Sequence, residues 1–384
     1  MKLRDKIMLK HVDKVLLLVS ILLFSIGLVM IFSSSNIAAF MRYNKSPYNF
    51  LLKQGISLFA GLIGFLILIH FSTRTYSGSS WIILLISIGV LIFVSFFGAI
   101  INDARSWIII GPFSFQPSEF IKVILIVWYS AFFELNRHKL DRLFTNFFPV
   151  GVTAFFSGLV ILQPDFGTAA IMIITFFLLY IIMPIKRVVK FKVVTISLLL
   201  MIVVLLLYYC FNTSNFQRQI DRKDFRFPCS EEKFYTTGNQ VCNSYIAFNN
   251  GGLWGKGLGN STQKYLYLPE SHTDFIFAIV VEELGFVISS IIILLFIVLL
   301  WRIIRIGKNS VTSRGSIICY GVAIYIFIHM TINLLGIMGL LPLTGVPLPF
   351  LSYGGSFTLS LILALSIVQR VAIETRLKKL GISN

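Results

Sequence analysis

Charged side chains are scarce in this sequence, and acidic side chains are the scarcest. Of 384 residues only 13% are charged, with 16 Asp and Glu against 33 Lys and Arg. A soluble globular domain carries about 25% charged residues, roughly twice this share. Because 57% of the residues are hydrophobic and the mean hydropathy is +0.86, the composition excludes a soluble domain.

The excess of basic residues gives a formal net charge of +17. In a soluble protein such a charge would suggest nucleic-acid binding. Here the basic residues fall in short clusters between apolar runs, a pattern typical of the cytoplasmic loops of membrane proteins. We therefore expect no nucleic-acid partner.

Cysteine and histidine are also few, with four and five residues respectively. Cys229 and Cys242 lie in the one long polar segment, 212–273, where the sequence is compatible with either a disulfide or two free thiols. His272 has no second His or Cys at a suitable spacing. The sequence therefore predicts no dedicated zinc site.

Long apolar runs are abundant, and each is long enough, or nearly so, to cross a bilayer. They fall at about 15–32, 53–71, 80–100, 117–133, 147–163, 167–184, 191–211, 274–301, 315–340 and 354–370. We interpret the first run as a span and not as a cleaved signal peptide, because it is longer than a usual signal core. The sequence thus predicts an all-α polytopic membrane protein with about ten transmembrane helices, forming a single membrane domain over residues 1–384.

The distribution of basic residues predicts the orientation of these helices. With the N-terminus inside, the inner segments carry Arg74 and the clusters at 2–14, 137–142, 186–192, 302–314 and 370–379. The short outer loops carry little beyond Arg42, Lys45 and Arg105. We therefore expect both termini to be cytoplasmic and segment 212–273 to be a large extracellular loop before the eighth helix.

The segments whose composition packing does not explain are all predicted outer connections. They are residues 102–119, 163–168, 251–274 and 341–356. The inner connections show only basic residues and small turns. This concentration of proline, glycine and acidic residues on one side indicates a functional site at the outer face.

Two groups of ionisable residues are candidates for that site. Glu119 and Lys122 stand three apart on one face of a helix, either as an ion pair that locks helices together or as a polar patch lining a water-filled cavity. Asp274 opens the eighth helix after His272 and Thr273. We interpret Thr273 as a candidate helix cap, which would leave Asp274 directed at a ligand.

Two glycine-rich stretches suggest contacts with a polar ligand. The run 251–259 lacks the GxGxxG spacing and a preceding strand, so we reject a nucleotide loop there. Ser352, Gly354 and Gly355 begin the tenth helix, and the free N–H groups of a helix N-terminus can hold a phosphate. Arg105 is a candidate for a bidentate contact to the same group.

Five stretches together resemble the SEDS family (shape, elongation, division and sporulation), the FtsW/RodA glycosyltransferases of bacterial cell walls. The stretches are 104–107 with 111–112 and 116–119, then 163–168, 268–278, 282–286 and 347–356. The segment Gly257–Ser261 with Gln263, Lys264 and Tyr267–Pro269 looks more like the division and sporulation branch.

The resemblance implies an enzyme that polymerises lipid II into β-1,4-linked glycan strands. It implies that Asp274 is the general base acting on the acceptor hydroxyl and that undecaprenyl diphosphate is the leaving group. The candidates to stabilise that diphosphate are Arg105, Lys122 and a divalent cation (Mg²⁺ or Mn²⁺), with no organic cofactor expected. Further predicted substrate contacts are Glu119, Gln163, Asp165, His272, Ser352, Gly354 and Gly355.

The resemblance also implies a location and partners. The protein is expected in the bacterial cytoplasmic membrane, with a class B penicillin-binding protein transpeptidase and other divisome or elongasome membrane proteins. One alternative is a flippase for lipid-linked wall precursors, which would also need intramembrane ionisable residues and a central polar cavity. Another is a scaffold that recruits division proteins.

Overall fold

Long helices dominate the computed structural model, which describes residues 10–101, 104–111, 113–211, 228–234 and 238–381. Its helices are α1 (Lys14–Met41), α2 (Asn49–Leu68), α3 (Thr73–Phe97), α4 (Pro117–Leu135), α5 (Leu143–Ile161), α6 (Phe166–Ile182), α7 (Arg187–Phe211), α8 (Glu231–Phe234), α9 (Asn239–Gly251), α10 (Ile276–Lys308), α11 (Ser313–Ile337) and α12 (Gly355–Lys379). A single 3₁₀ turn, Arg137–Lys139, precedes α5 among these described residues.

Seven of these helices, α1, α2, α3, α5, α10, α11 and α12, are long and apolar enough to cross a membrane. The other long helices are α4, which contains three charged residues, α6, which has 17 residues, and α7. The predicted multi-spanning helical architecture is therefore confirmed. Helix α1 runs to Met41, beyond the predicted end at 32, because Ser33, Ser34 and Ser35 are buried inside the bundle and stay helical.

Helices α11 and α12 lie at the centre of the bundle. The most apolar window of α12 is 89% buried and that of α11 is 67% buried, against 11% for α2. One apolar core joins α1, α10, α11 and α12, and a second joins α3, α4, α5 and α6. A polar group on α11 or α12 therefore faces protein, and it needs a protein partner there.

The connection between α3 and α4 folds into strands that the sequence analysis did not predict. Strands β1 (Ala99–Ile101), β2 (Ala104–Ile110) and β3 (Phe113–Phe115) form an antiparallel sheet in the order β1-β2-β3. The β-branched run Ile108–Ile110 favours a strand, and Gly111 takes a positive φ of 58° at the turn. Strand β3 leads into α4, whose first residue is Pro117.

Helix α10 is broken at Gly285, where φ is 78° and ψ is 174°. The glycine-rich outer segment 251–257 packs against this break, with Gly255 also at a φ of 78°. Four backbone hydrogen bonds of 2.9–3.2 Å join the two: Lys256 N to Glu282 O, Gly257 N to Glu283 O, Phe286 N to Gly252 O and Val287 N to Leu253 O. The outer segment thus satisfies the backbone groups that the broken helix leaves unpaired.

Two buried carboxylates fasten the same outer segment to the bundle. Glu283 pairs with Lys264 Nζ at 3.0 Å and accepts hydrogen bonds from Ser33 Oγ on α1 at 2.8 and 2.6 Å. Glu282 accepts from Thr262 N at 3.1 Å and from Thr262 Oγ1 at 2.7 Å. The acidic pair therefore connects α10, α1 and the outer segment into one unit.

A disulfide joins Cys229 to Cys242 in the outer loop. Of the two alternatives, a disulfide or two free thiols, the structure therefore shows the disulfide. It ties segment 228–234 to α9. Helix α9 is itself held by Ser244 Oγ, which donates to the carbonyl of Ile337 at the end of α11, at 2.7 Å. The outer loop is thus anchored next to the ends of the central helices.

We predict that Gly285→Ala detaches the outer segment and lowers stability. An alanine Cβ at 285 would overlap backbone atoms of Trp254 and Gly255, and the positive φ adds strain. The expected loss is about 1–3 kcal/mol of the free energy of unfolding, measured as thermal unfolding in detergent. Gly259→Ala is the matched control, because its φ is 83° but nothing lies within 4 Å of an added Cβ. An equal loss in both variants would contradict the packing role of Gly285.

Candidate functional site

The segment before α10 is held by hydrogen bonds to three consecutive carbonyl groups. The donors are Tyr353 N to His272 O at 2.9 Å, Ser352 Oγ to Thr273 O at 2.6 Å and Asn333 Nδ2 to Asp274 O at 2.8 Å. We call this arrangement the carbonyl clamp. It comes from α11 and from the loop before α12, so two separate elements determine where Asp274 stands.

Asn333 also connects that loop to α11. Its Nδ2 donates to the carbonyl of Val346 at 2.8 Å, in addition to its bond to Asp274. Ser352 Oγ in turn accepts from Leu348 N at 2.9 Å. Asn333 is buried in a central helix. The loop and the Asp274 segment are therefore both held in position by that same helix.

The side chain of Asp274 is half-buried, and within the described residues its carboxylate accepts no hydrogen bond. Gly345, at a φ of 69°, passes so close that a Cβ there would lie 3.6 Å from Asp274 Oδ2. Desolvation, reinforced by the charge of Glu270, raises the pKa of Asp274 to about 7. Near neutral pH this group can therefore take up a proton from a ligand.

His272 is buried beside Asp274 in an aromatic pocket. Its ring lies 4.4 Å from Phe50 and 5.9 Å from Tyr353, measured between centroids. Burial, together with the charge of Arg42, lowers the pKa of His272 to about 4, so the ring is neutral at pH 7. Its Nδ1 has no partner among the described residues.

Thr273 does not cap α10, so that interpretation is wrong. Its hydroxyl donates instead to Glu270 Oε2 at 2.9 Å, within the preceding turn. Helix α10 begins at Ile276, and its N-cap, Phe275, makes no side-chain cap. Asp274 is nevertheless free of a capping role, because no backbone N–H of the described residues bonds to its carboxylate.

Glu119 and Lys122 form an ion pair deep in the bundle. Lys122 Nζ lies 2.8 Å from Glu119 Oε1 and 3.1 Å from His329 Nε2, and both charged residues are buried. Glu119 Oε2 has no partner in the described part of the chain. His329 stands one turn from Asn333 on α11, so a column of polar side chains continues inward from the carbonyl clamp.

The outer ends of α4, α6 and α12 meet through Gln116 and Asp165. Gln116 Nε2 donates to Asp165 Oδ2 at 2.8 Å, and Gln116 N donates to Ser356 Oγ at 2.9 Å. The other carboxylate oxygen of Asp165 caps α6 by accepting from Thr168 N at 3.1 Å. Asp165 is thus a structural junction at the rim of the site.

The remaining predicted contacts are placed differently. Gln163 is buried and donates to Leu91 O and Ser95 Oγ of α3, each at 3.1 Å. Arg105 is exposed on β2 and donates to Phe96 O at 3.1 Å. Within the described residues it makes no hydrogen bond or ion pair with Asp274.

The start of α12 is partly occupied by protein. Gly354 N donates to Gln54 Oε1 at 3.2 Å, and Gln54 Nε2 donates to Thr358 Oγ1 at 2.7 Å. No side chain caps the helix that begins at Gly355. Ser352 is committed to the carbonyl clamp, so its hydroxyl serves positioning in this structure.

Sequence reasoning missed Asn333 and His329, although a signal was present. Both are polar residues in the middle of an apolar helix, which is itself a mark of a functional or packing role.

The structure also bears on metal binding. In the part of the chain that the structure describes, no group of three or more His, Cys, Asp or Glu side chains could hold a metal ion. The predicted divalent cation therefore stays a prediction.

Known proteins match nearly the whole chain. The family model for FtsW, RodA and SpoVE, described as cell cycle protein, matches residues 13–377. A probable peptidoglycan glycosyltransferase FtsW of Bacillus subtilis is 36% identical, over 96% of this chain and 92% of its own. The stage V sporulation protein E of the same organism is 34% identical, over 95% and 98%. A probable peptidoglycan glycosyltransferase FtsW of Haemophilus ducreyi is 32% identical, over 96% and 91%.

Solved structures show the same fold at lower identity. A chain from a peptidoglycan synthase complex that coordinates polymerization and crosslinking matches with a TM-score of 0.73 at 22% identity, over 95% of this chain and 98% of that one. The rod shape determining protein RodA of Thermus thermophilus matches with a TM-score of 0.66 at 22% identity, over 94% and 97%. Because the family model spans residues 13–377, this chain belongs to the FtsW/RodA/SpoVE family.

Proposed function

We propose that this protein is a peptidoglycan glycosyltransferase of the cytoplasmic membrane, which polymerises lipid II into β-1,4-linked glycan strands at the outer face. Relatives named probable peptidoglycan glycosyltransferase are 36% and 32% identical over 96% of the chain. The observation that carries the proposal is the carbonyl clamp. It holds a carboxylate whose pKa is raised to about 7 at the outer ends of the membrane helices.

In this reaction Asp274 is the general base. The hydroxyl of the acceptor sugar attacks the anomeric carbon of the donor, Asp274 takes the hydroxyl proton, and undecaprenyl diphosphate leaves with the electrons of the broken bond. An alcohol is a weak nucleophile and needs a base to remove its proton. A base whose pKa lies near the working pH is largely deprotonated and still has a high affinity for the proton. An aspartate with an ordinary pKa of 3.8 would be a weaker base than one at about 7.

The carbonyl clamp supplies the geometry for that proton transfer. Reacting atoms must approach within about 3–3.5 Å in a suitable orientation, and small misplacements are costly. Three hydrogen bonds from α11 and the loop before α12 restrict the backbone at His272, Thr273 and Asp274. The side chain itself keeps its acceptor capacity for the substrate.

The leaving diphosphate needs a positive partner, and we propose Arg105 over Lys122. Arg105 is exposed and uses one guanidinium nitrogen on Phe96 O, which leaves donors for a diphosphate. Lys122 is buried and already bonded to Glu119 and His329. A divalent cation (Mg²⁺ or Mn²⁺) would supply further positive charge to the diphosphate if bound, and we assign no step of the reaction to it.

We also propose a class B penicillin-binding protein transpeptidase as a partner. The structure with a TM-score of 0.73 comes from a complex in which polymerization and crosslinking are coordinated. A polymerase that extends strands at the outer face makes the substrate that a transpeptidase crosslinks. Other divisome or elongasome membrane proteins are proposed as further neighbours.

Asp274→Asn is expected to abolish polymerisation without unfolding the protein. Asparagine keeps the size of the side chain but cannot accept the proton, so the rate should fall about 10²- to 10⁴-fold. The measurement is glycan-strand synthesis from purified lipid II in detergent, resolved on a gel. Glu270→Gln is the matched control from the same turn and should retain polymerisation. Equal polymer from Asp274→Asn and wild type would refute the base, and precursor movement across vesicles without polymer would favour a flippase.

The rate of polymerisation should rise with pH and reach half of its plateau at about pH 7. The carboxylate is the active form, and the raised pKa means that it is lost as the pH falls below about 7. The part of the profile in which the rate rises with pH is its acid limb. Because Glu270 contributes to the raised pKa of Asp274, Glu270→Gln should move the acid limb to lower pH. Initial rates measured across the neutral range test both statements. A limb near the ordinary aspartate pKa of 3.8 would contradict them.

Asn333→Leu should lower kcat about 10- to 100-fold per folded molecule, because Asp274 loses a fixed position. The acid limb of the pH profile should also move, since the surroundings of the carboxylate change. Asn146→Leu is the matched control: the buried Asn146 also donates to two carbonyls, Leu140 O and Arg142 O, each at 2.8 Å, near the start of α5. Parallel loss of activity and an unmoved limb in both variants would show that Asn333 acts on stability alone.

A further inference from the structure

An apolar groove of about 380 Å³ lies between α3 and α5, away from the candidate active site. Its walls are entirely apolar, aromatic or glycine, and they include Trp81, Leu84, Phe148, Gly151 and Phe155. Phe148 and Phe155 are exposed at the surface of the bundle. Since both helices are candidate membrane spans, the groove opens toward the lipid chains and not toward water.

The groove is preformed by its aromatic floor. The ring of Trp81 lies 5.2 Å from buried Trp128 and 5.9 Å from Phe148, and Phe148 stacks on Phe132 at 5.6 Å. These contacts hold the walls in place. The space between the walls exists because position 151 has no side chain: nothing lies within 4 Å of a Cβ added to Gly151.

Exposed arginines stand at one end of the groove. The Trp81–Phe148 contact lies near the first residues of both helices, Thr73 of α3 and Leu143 of α5, so the two helices start at the same end of the groove. Arg74 precedes Trp81 by seven residues and Arg142 precedes Phe148 by six. At 1.5 Å per residue both lie about 9–11 Å from the Trp81–Phe148 contact, toward the same end.

That end is the predicted cytoplasmic side. Arg74 and Arg142 are exposed, and neither makes an ion pair within the described residues. Lys139, in the turn before α5, adds a third exposed cation. An anionic lipid has an apolar acyl chain and a negatively charged phosphate. The apolar groove is suited to the acyl chain, and the cationic rim is suited to the phosphate.

We propose that this groove is a binding site for an anionic phospholipid of the inner leaflet. One acyl chain occupies the slot beside Gly151, and the phosphate lies at the level of Arg74 and Arg142. The charge complementarity is what distinguishes this occupant from bulk lipid, which would fill the slot without preference for a headgroup. The site is on the opposite side of the membrane from Asp274, so it stands independently of the proposed reaction.

The test measures lipids retained by the full-length protein in native mass spectrometry. Titration with phosphatidylglycerol is compared with phosphatidylcholine of the same acyl chains. Gly151→Leu places a side chain in the groove, where an added Cβ meets nothing within 4 Å, and should lose the retained phosphatidylglycerol. Gly158→Leu is the matched control, because it lies on the same helix, also has nothing within 4 Å of an added Cβ and does not line the groove. It should retain the lipid as the wild type does.

Surface variants test the headgroup without touching the packing. Arg74→Gln and Arg142→Gln should each weaken phosphatidylglycerol binding about fivefold and leave phosphatidylcholine binding unchanged. Arg187→Gln, an exposed arginine at the start of α7, should have no effect. The proposal is overturned if Gly151→Leu binds as the wild type does, or if the two lipids bind equally. It is also overturned if a lipid-linked wall precursor displaces phosphatidylglycerol from the groove.

Discussion

The candidate site depends on one side-chain amide, that of Asn333 on the central helix α11. Its Nδ2 donates hydrogen bonds to the carbonyls of Asp274 and Val346 at 2.8 Å each. A single side chain in the middle of the bundle therefore holds two outer segments in place. The bonds from Ser352 and Tyr353 extend the same arrangement to the two residues before Asp274. Catalysis by a positioned base needs such rigidity, and a loop by itself does not supply it.

The membrane explains why so many polar groups here are paired with protein. In lipid, an unpaired backbone or charged group costs several kcal/mol. The break at Gly285 is therefore covered by the glycine-rich outer segment, and Glu283 meets Lys264 and Ser33. The carboxylate of Asp274 lies at the outer end of α10, where a ligand from outside can reach it. Its lack of a partner among the described residues distinguishes it from the paired carboxylate of Glu283.

Prediction from sequence succeeded where the signal is local. Hydropathy predicted a multi-spanning helical protein, and seven helices are long and apolar enough to cross a membrane. It failed for Thr273, because a hydroxyl before a helix can bond backward to Glu270 as well as forward to the helix. It also overlooked the strands around Trp107, because residues 102–119 were interpreted only as an outer connection. Gln163 and Arg105 are predicted substrate contacts, and in this structure their hydrogen bonds go to α3.

The amino-acid sequence alone was enough to predict that the chain spans a membrane many times and that its unusual residues gather at the predicted outer connections. Those properties depend on hydropathy and charge within short windows of residues. The hydrogen bonds that hold the Asp274 segment follow from the tertiary fold, because Asn333 lies 59 residues from Asp274 and Ser352 lies 79 residues from Thr273 along the chain. The tertiary fold also decided the pKa near 7, since desolvation depends on the surrounding protein and not on neighbours in sequence. The groove between α3 and α5 is likewise a product of packing, which no single helix encodes.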